Sequence, residues 1–322
     1  HIVNMPASSH KVLNVLDDSF YNGWAGFWKP SLILNHDHDK LFDNCMNELN
    51  DLPNFSLTKG IVGRLRALIL YELLDTKKII RFLDLIASKK LLLAIQPDGI
   101  FGNANGLWYL LCLIGSRKIT KEISMRLNTI TEPFLNTKTY KSFENQSWGL
   151  AHGKLGTLYL QTTAQILFGK NKIRFNDWES LIKNSENIKN GICNGVDGLS
   201  LALCSLHTIS NQFNTYLLSL QDLLKNRKPE TNEGLCHGYT GQLWSRIVLS
   251  NILDNSEENN FYNLEKNSEI LRECHWKLLS LSLCDLSLFN GITGKLLVQE
   301  LRVKNFKLGF DLFPSPSQLN KV

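Results

Sequence analysis

Two stretches of this sequence, Cys193-Asn194-Gly195-Val196-Asp197-Gly198 and Cys236-His237-Gly238-Tyr239-Thr240-Gly241, share one pattern, in which a Gly-x-x-Gly step opens an apolar run. Related steps recur at intervals of about 40 to 50 residues, which is typical of a repeat architecture. The copies begin at Gly23, Gly60, Gly102, Gly153, Gly195, Gly238 and Gly291, and the third has one extra residue between its glycines. Because equivalent places in a repeat become neighbouring places in space, this step decides the fold prediction.

The segments around these steps are of two kinds. Each step is followed by an apolar run of helical length, such as residues 155–167 and 199–206, and is preceded by an amphipathic helical segment, such as residues 77–93. No segment shows sustained period-two alternation, so we expect few strands. The apolar helices are buried on all sides if they form a ring that the amphipathic helices cover.

We therefore predict an all-α fold, an α/α toroid of seven inner and seven outer helices, in a single domain over residues 1–322. The recurring glycines would permit close approach of backbones at one crowded rim of the ring. An open helical solenoid, in which the glycines only mark loops, is the alternative, because motif spacing alone does not separate open from closed arrays.

The composition is that of a globular protein without an extended charged surface. Hydrophobic residues make up 43% of the chain and charged residues 20%, which provides apolar surface for a large core. The net charge of +5 is small and the basic residues are scattered, so we exclude nucleic acid as a partner. No apolar stretch reaches the roughly 18 to 20 residues of a membrane-spanning helix. We expect a cytoplasmic chain without a transmembrane segment.

The seven cysteines are an odd number at modest density, which argues against a disulfide framework, so we expect reduced thiols. Five lie within apolar helical patterns, where cysteine usually acts as a small buried hydrophobic residue. These five are Cys45, Cys112, Cys204, Cys274 and Cys284. Only Cys193 and Cys236 fall at the start of a helix, which makes them the candidates for chemistry.

Cys193 and Cys236 occupy the same place in their repeats, two residues before the first glycine, and His152 and His237 both lie one residue before it. In a ring, these four side chains would face one cavity from three consecutive repeats. Two thiolates and an imidazole form a strong zinc site, and three protein ligands leave a fourth tetrahedral position for water or substrate. We predict Zn²⁺ bound by Cys193, Cys236 and His237. Two unrelated cysteines with a helix-capping histidine are the alternative.

His152 and Asp98 are candidates for proton transfer beside this metal. Once the three ligands and a substrate fill the coordination shell, His152 is left as an acid or base next to it. Asp98 lies just before the third step, where it can orient His152 or move a proton itself. On spacing alone an ordinary turn aspartate is an equal alternative, because Pro97-Asp98-Gly99 is a strong turn signal.

Other histidines give weaker signals. The run His36-Asp37-His38-Asp39 resembles a metal cluster, but it lies among polar residues without a partner in register, which favours a solvated surface. His207 and His275 lie on helical segments, where we expect packing residues with satisfied hydrogen bonds.

Taken together and in order, three of the steps resemble the lanthipeptide cyclases, or lanthionine synthetase C-like proteins. They are His152-Gly153-x-x-Gly156, Cys193-x-Gly195-x-x-Gly198 and Cys236-His237-Gly238-x-x-Gly241. The resemblance covers nearly the whole chain, and Asp98, four residues before Gly102, matches the Asp-x-x-x-Gly pattern of that family. The chain departs from the family at Ile192 and Asn194, which flank Cys193 where aromatic residues are usual, and at Lys189, where an arginine is common.

The resemblance implies a toroid of seven plus seven helices, zinc held by Cys193, Cys236 and His237, and Asp98 with His152 as an acid/base pair. It implies Michael-type addition of cysteine thiols of a precursor peptide to dehydroalanine or dehydrobutyrine, which forms (methyl)lanthionine thioether rings. The implied partners are a dehydrated precursor peptide, with leader and core, and a dehydratase and an exporter, through which the chain would associate with a membrane.

Two other functions remain open at this point. One is a member of the same fold that adds glutathione to dehydrated proteins. The other is a non-catalytic scaffold for a dehydratase or transporter complex. The same signature fits a standalone enzyme and the cyclase part of a larger synthetase.

Overall fold

A computed structural model describes residues 38–49, 61–70, 73–89, 103–117, 119–136, 148–151, 153–168, 173, 175–208, 210–228, 230 and 234–253 of the chain. These residues form α-helices and short 3-10 turns, with no strand among them. The α-helices are α1 (His38–Glu48), α2 (Ile61–Leu70), α3 (Thr76–Ser88), α4 (Asn103–Gly115), α5 (Lys121–Asn136), α6 (Lys154–Phe168), α7 (Phe175–Lys183), α8 (Val196–His207), α9 (Asn214–Lys225) and α10 (Tyr239–Ile252).

Burial divides these helices into two alternating sets. The even-numbered helices are buried around most of their circumference: every residue from Val196 to Leu206 in α8, and from Leu155 to Ala164 in α6, is buried. The odd-numbered helices bury only one stripe, as in α9, where Leu217, Leu220, Gln221 and Leu224 face inward. The 3.6-residue spacing of apolar positions thus places the amphipathic helices outside and the apolar helices inside.

The two sets pack as layers. Each inner helix lies against the next inner helix along the chain, from α2 through α4, α6 and α8 to α10. The outer helices cover this row, with α1 against α2, α5 against α6, and α9 against α8 and α10. The described part of the chain therefore contains five consecutive outer and inner helix pairs. The first and last Gly-x-x-Gly steps lie outside the described residues.

Buried polar contacts join successive inner helices. Arg66 of α2 donates to the Tyr109 hydroxyl of α4 at 3.0 Å. Further along, the Tyr159 hydroxyl of α6 lies 2.9 Å from the Ser205 hydroxyl of α8. Ser245 of α10 donates to the Asp197 carboxylate of α8 at 2.7 Å. Because a buried polar group left unpaired costs free energy, these contacts specify which helices meet and in which register.

The outer layer has its own aromatic contact. Phe175 and Trp178 of α7 pack against Phe213, with ring centroids 5.6 Å and 5.8 Å apart. The Trp178 indole also donates to the Thr162 hydroxyl of α6 at 3.0 Å, which anchors this outer helix on the inner layer. Among the residues described, no helix combines the length and the apolar character needed to cross a bilayer.

Candidate metal centre

The loops that lead into α8 and α10 have the same backbone conformation. Gly195 and Gly238 are the N-caps of these helices, with φ and ψ of −127° and −177° and of −131° and −173°. Because both caps are glycines, neither can make the side-chain hydrogen bond to the helix that other N-cap residues make. The shared register of the sequence thus becomes shared geometry, and Cys193 and Cys236 take corresponding places one loop apart.

Backbone hydrogen bonds connect these loops from repeat to repeat. The Ala151 amide donates to the Cys193 carbonyl at 2.9 Å. The Ile192 and Cys193 amides both donate to the Cys236 carbonyl, at 2.8 Å and 3.3 Å. Residues two positions before the first glycine of their steps are therefore neighbours in three consecutive repeats. We call this series of hydrogen bonds between successive loops the backbone ladder, and it holds the two cysteines side by side.

The second glycine of the step explains why the pattern recurs. A Cβ on Gly198 would lie 2.1 Å from the Ile192 carbonyl oxygen, and a Cβ on Gly241 would lie 2.0 Å from the Leu235 carbonyl oxygen. Ile192 and Leu235 directly precede the two cysteines. The prediction that close backbone approach requires these glycines is therefore confirmed at both steps. In each case the glycine packs against the cysteine loop of its own repeat.

Cys193, Cys236 and His237 lie together. Their possible ligand atoms are all within 4.8 Å of one another, and they form the one such group of three that the described residues contain. Cys193 and Cys236 are 5% and 4% exposed, whereas His237 is exposed. Two soft sulfur donors and one imidazole are the ligand set that proteins use for zinc. The site is thus closed on the cysteine side and open to solvent on the histidine side.

The structure joins Cys193 to Cys236 by a disulfide, with 5.5 Å between the two Cα atoms. The expectation that all thiols are reduced is therefore wrong for this pair, because the backbone ladder brings the two sulfur atoms within bonding reach. Cys45, Cys112 and Cys204 are buried, as expected, and form no disulfide with a described residue, whereas Cys274 and Cys284 lie outside the described residues. A disulfide and a metal are alternative states of this pair, since metal binding needs both thiolates.

A buried carboxylate lies behind the cysteines. Asp197, in the first turn of α8, is 0% exposed and accepts hydrogen bonds from the Gly191 amide at 2.6 Å and from the Ser245 hydroxyl at 2.7 Å. Burial raises the pKa of this carboxyl above its ordinary value, although the two hydrogen bonds and the charges of Arg246 and Arg227 oppose that rise. Asp197 was not predicted to belong to the metal centre. Its signal was a charged residue between the two glycines of a step that opens an apolar helix.

The other candidate residues are placed as follows. Asp98 and His152 lie outside the described residues, although Ala151 and Gly153 on either side of His152 are described. Lys189 has an exposed side chain, and its carbonyl accepts from the Val196 amide at 2.9 Å. In the run that begins at His36, the described Asp39 is exposed and pairs with Lys78 of α3. That pairing is consistent with a solvated surface.

Comparison with known proteins assigns the family. A two-layered all-α ring with a Cys, Cys, His cluster at the helix starts is the architecture that the resemblance implies. The family model described as "Lanthionine synthetase C-like protein" matches residues 14–305, and the chain belongs to this family. The predicted resemblance and the all-α, α/α toroid fold are confirmed.

Solved structures include a similar chain. The structure titled "Nisin cyclase" shares 13% sequence identity and a TM-score of 0.46, over 87% of this chain and 96% of that chain. No curated protein sequence matches this chain.

Proposed function

We propose that this chain is a zinc-dependent lanthipeptide cyclase. Its reaction would be the addition of cysteine thiols of a dehydrated precursor peptide to dehydroalanine or dehydrobutyrine, with formation of thioether rings. The observation that carries the proposal is the meeting of Cys193, Cys236 and His237 within 4.8 Å, in a member of this family.

The residues present fit zinc. In a tetrahedral site with zinc–sulfur bonds of about 2.3 Å, the two sulfur atoms lie about 3.8 Å apart. The Cα separation of 5.5 Å spans either a disulfide or such a pair, so reduction of the bond lets side-chain rotation separate the sulfurs while the backbone ladder stays in place. The exposed His237 completes three ligands. Because His237 is exposed, the histidine side of the cluster is open to solvent, and a substrate thiol could approach from there.

A zinc ion bound there would supply Lewis acidity that lowers the pKa of the substrate thiol, so that it reacts as a thiolate near neutral pH. The helix N-termini at Gly195 and Gly238 follow the ligands by one or two residues, and their partial positive charge favours anionic sulfur. In the reaction, the thiol loses its proton, the sulfur–carbon bond forms at the Cβ of the dehydroamino acid, and the resulting enolate takes up a proton at Cα. We assign these proton transfers to His152 and Asp98.

The wider setting belongs to the same proposal. The substrate would be a dehydrated precursor peptide with leader and core, and the chain would act as one domain in the cytoplasm. It would work beside a dehydratase and an exporter, which would bring it to the membrane. Family membership supports this setting.

Metal content and ring formation test the proposal. Purified protein is reduced, loaded with zinc and freed of excess metal, and zinc is then measured per chain. We expect about one zinc per chain and its loss in Cys193→Ala, Cys236→Ala and His237→Ala. Cys204→Ala is the matched control, since Cys204 is a free buried cysteine of α8 that lies outside the cluster. A folded, reduced wild-type protein without zinc would contradict the proposal.

Activity is measured with a peptide that carries one dehydroalanine and one cysteine. Cyclisation leaves the mass unchanged, so the readout is loss of alkylation of the free thiol. We expect His152→Ala and Asp98→Asn to retain zinc and to lose activity by about 100-fold or more, as for removal of a proton-transfer group. A glutathione adduct without a ring would instead indicate the glutathione-adding function. Unchanged peptide with wild-type zinc content would indicate a scaffold.

A further inference from the structure

The loops that carry Cys193, Cys236 and His237 have two kinds of support. One is the backbone ladder, in which the Ile192 and Cys193 amides donate to the Cys236 carbonyl. The other is a side chain, the carboxylate of Asp197, which nothing in the proposed reaction uses. Metal ligands bind tightly only when their supporting shell holds them within about 0.5 Å of the productive geometry.

The first carboxylate oxygen of Asp197 holds the chain before Cys193. It accepts from the Gly191 amide at 2.6 Å, and Gly191 has a φ of +111°, a conformation that favours glycine. A Cβ on Gly191 would lie 3.2 Å from the Cys236 carbonyl oxygen and 3.4 Å from the His237 Cα. The backbone at Gly191, which Asp197 restrains, thus lies directly against the backbone of the other two candidate ligands, Cys236 and His237.

The second carboxylate oxygen reaches the neighbouring repeat. It accepts from the Ser245 hydroxyl of α10 at 2.7 Å, and α10 begins directly after the Cys236-His237-Gly238 loop. The Gln242 carbonyl, one turn earlier in the same helix, lies 3.0 Å from the Ser245 hydroxyl oxygen and is an alternative acceptor for its single proton. One carboxylate therefore ties the segment before the first cysteine to the helix that follows the second cysteine and the histidine.

Burial of this carboxylate has a cost that packing alone does not require. Asp197 is 0% exposed, and an apolar residue at the second position of α8 would avoid the desolvation of a carboxyl group. The Tyr159–Ser205 contact joins α6 to α8 without a charged group. Unlike the Tyr159–Ser205 contact, the Asp197 carboxylate lies at the start of α8 and accepts a hydrogen bond from the Gly191 amide, in the loop that carries Cys193.

We propose that Asp197 is a positioning residue of the metal centre, which holds the loops of Cys193 and Cys236 in mutual register through Gly191 and Ser245. The proposal rests on the proposed zinc function for its main consequence, metal affinity. It also has a consequence without metal, because the same register sets how readily the two thiols form their disulfide.

The variants separate this role from general stabilisation. Asp197→Ala removes both hydrogen bonds. Asp197→Asn keeps an oxygen for the Gly191 amide and presents an NH₂ group to the Ser245 oxygen, whose proton can then be donated to the Gln242 carbonyl. Ser245→Ala removes one of the two bonds and is the milder change if Asp197→Ala does not fold. Tyr159→Phe is the matched control, because it deletes a buried contact between neighbouring inner helices away from the metal centre.

The first measurement is zinc affinity of the reduced protein by competition with a chromophoric chelator, together with the visible spectrum of the Co²⁺ form. We expect Asp197→Ala to weaken zinc binding by about 10- to 100-fold and to alter the tetrahedral Co²⁺ bands. Ser245→Ala should have a smaller effect, and Asp197→Asn should recover most of the loss. Tyr159→Phe should lower the melting temperature and leave zinc affinity at the wild-type value.

The second measurement is the ratio of disulfide to dithiol at Cys193 and Cys236 in metal-free protein, equilibrated with dithiothreitol. We expect Asp197→Ala to shift this ratio towards the dithiol, and Tyr159→Phe to leave it unchanged. Unchanged zinc affinity and an unchanged ratio in Asp197→Ala would overturn the inference even if the protein binds zinc and closes rings. The inference would also be overturned if Tyr159→Phe changed zinc affinity and the ratio as much as Asp197→Ala does. A wild-type protein that binds no zinc, but whose ratio shifts with Asp197→Ala, would overturn the proposed function alone.

Discussion

At the scale of single residues, position in the repeat separates the two candidate ligand cysteines from the cysteines buried inside helices. Cys112 and Cys204 lie within inner helices α4 and α8, where burial raises the pKa of each thiol above its ordinary value. A neutral, buried thiol is neither a nucleophile nor a metal ligand. Cys193 and Cys236 are also largely buried, but they lie in loops at helix N-termini beside an exposed histidine. This placement is the reason that we propose them, in their reduced form, as metal ligands.

His207 provides a prediction of pH dependence. It ends α8, and burial lowers the pKa of its imidazole below the ordinary value of 6.5. Its Nδ1 is buried without a hydrogen-bond partner among the described residues, so the expectation of a satisfied packing histidine is wrong for this atom. As the pH falls below about 6.5, the unfolded chain binds a proton at this residue before the folded chain does, and the folded state loses stability.

We expect the free energy of unfolding of wild-type protein, measured with urea, to be lower at pH 5.5 than at pH 7.5. In His207→Gln this difference should be smaller, because no ionisable group remains at that position. The assay uses reduced, metal-free protein, so that protonation of the candidate metal ligands does not enter through zinc release. An equal loss in wild type and variant would show that His207 does not contribute.

At the scale of elements, the Gly-x-x-Gly step sets where each inner helix begins. In α8 and α10 the second glycine packs against the carbonyl of the residue before the cysteine, at Ile192 and Leu235. The helix start and the ligand loop are thus in direct backbone contact. A side chain at this glycine must push the loop away from the helix, and the cysteine would move with it.

We expect Gly198→Ala and Gly241→Ala to lower the free energy of unfolding by about 1 to 3 kcal/mol, as overpacking does. The sign of the change in the free energy of unfolding is diagnostic, because replacement of an ordinary helix glycine by alanine stabilises the folded protein by about 1 kcal/mol. Urea denaturation of reduced, metal-free protein measures the effect. Ser200→Ala, two residues beyond Gly198 in the same buried helix, adds no volume and serves as the control. A gain in stability in both glycine variants would contradict the close-approach explanation.

At the scale of the whole molecule, the candidate ligands come from two adjoining repeats. A metal bound by them would connect the loop before α8 with the loop before α10 in the folded state only. A ligand that binds only the folded protein raises its stability by mass action. Under the proposed function, metal binding would therefore be linked to global stability.

We expect zinc to raise the melting temperature of the reduced protein and a chelator to reverse the change. At free zinc of about 100 times the dissociation constant, the added stability is about 2.7 kcal/mol. Cys236→Ala should show no zinc-dependent shift, whereas Cys204→Ala should keep it. The oxidised protein should also show none, because its disulfide leaves no thiolates for the metal. A shift of equal size in oxidised and reduced protein would place the zinc elsewhere.

Much of the architecture can be read from local patterns. The apolar run at residues 155–167 corresponds to α6, and the amphipathic run at residues 77–93 overlaps α3. Apolar spacing at 3.6 residues is a property of a single segment, so it predicts a helix and its buried face without knowledge of its neighbours. Shared register within the repeat likewise predicts that Cys193, Cys236 and His237 lie together, as they do.

The sequence by itself thus determined the helices, their division into inner and outer sets, and the residues that gather at the start of α8 and α10. The tertiary structure alone decided that the two cysteine sulfurs come within bonding reach, and that Asp197 holds the Gly191 amide and the Ser245 hydroxyl. The physical reason is distance along the chain. Ser245 is 48 residues from Asp197 and Cys236 is 43 residues from Cys193, and only the packing of α8 against α10 brings these groups into contact.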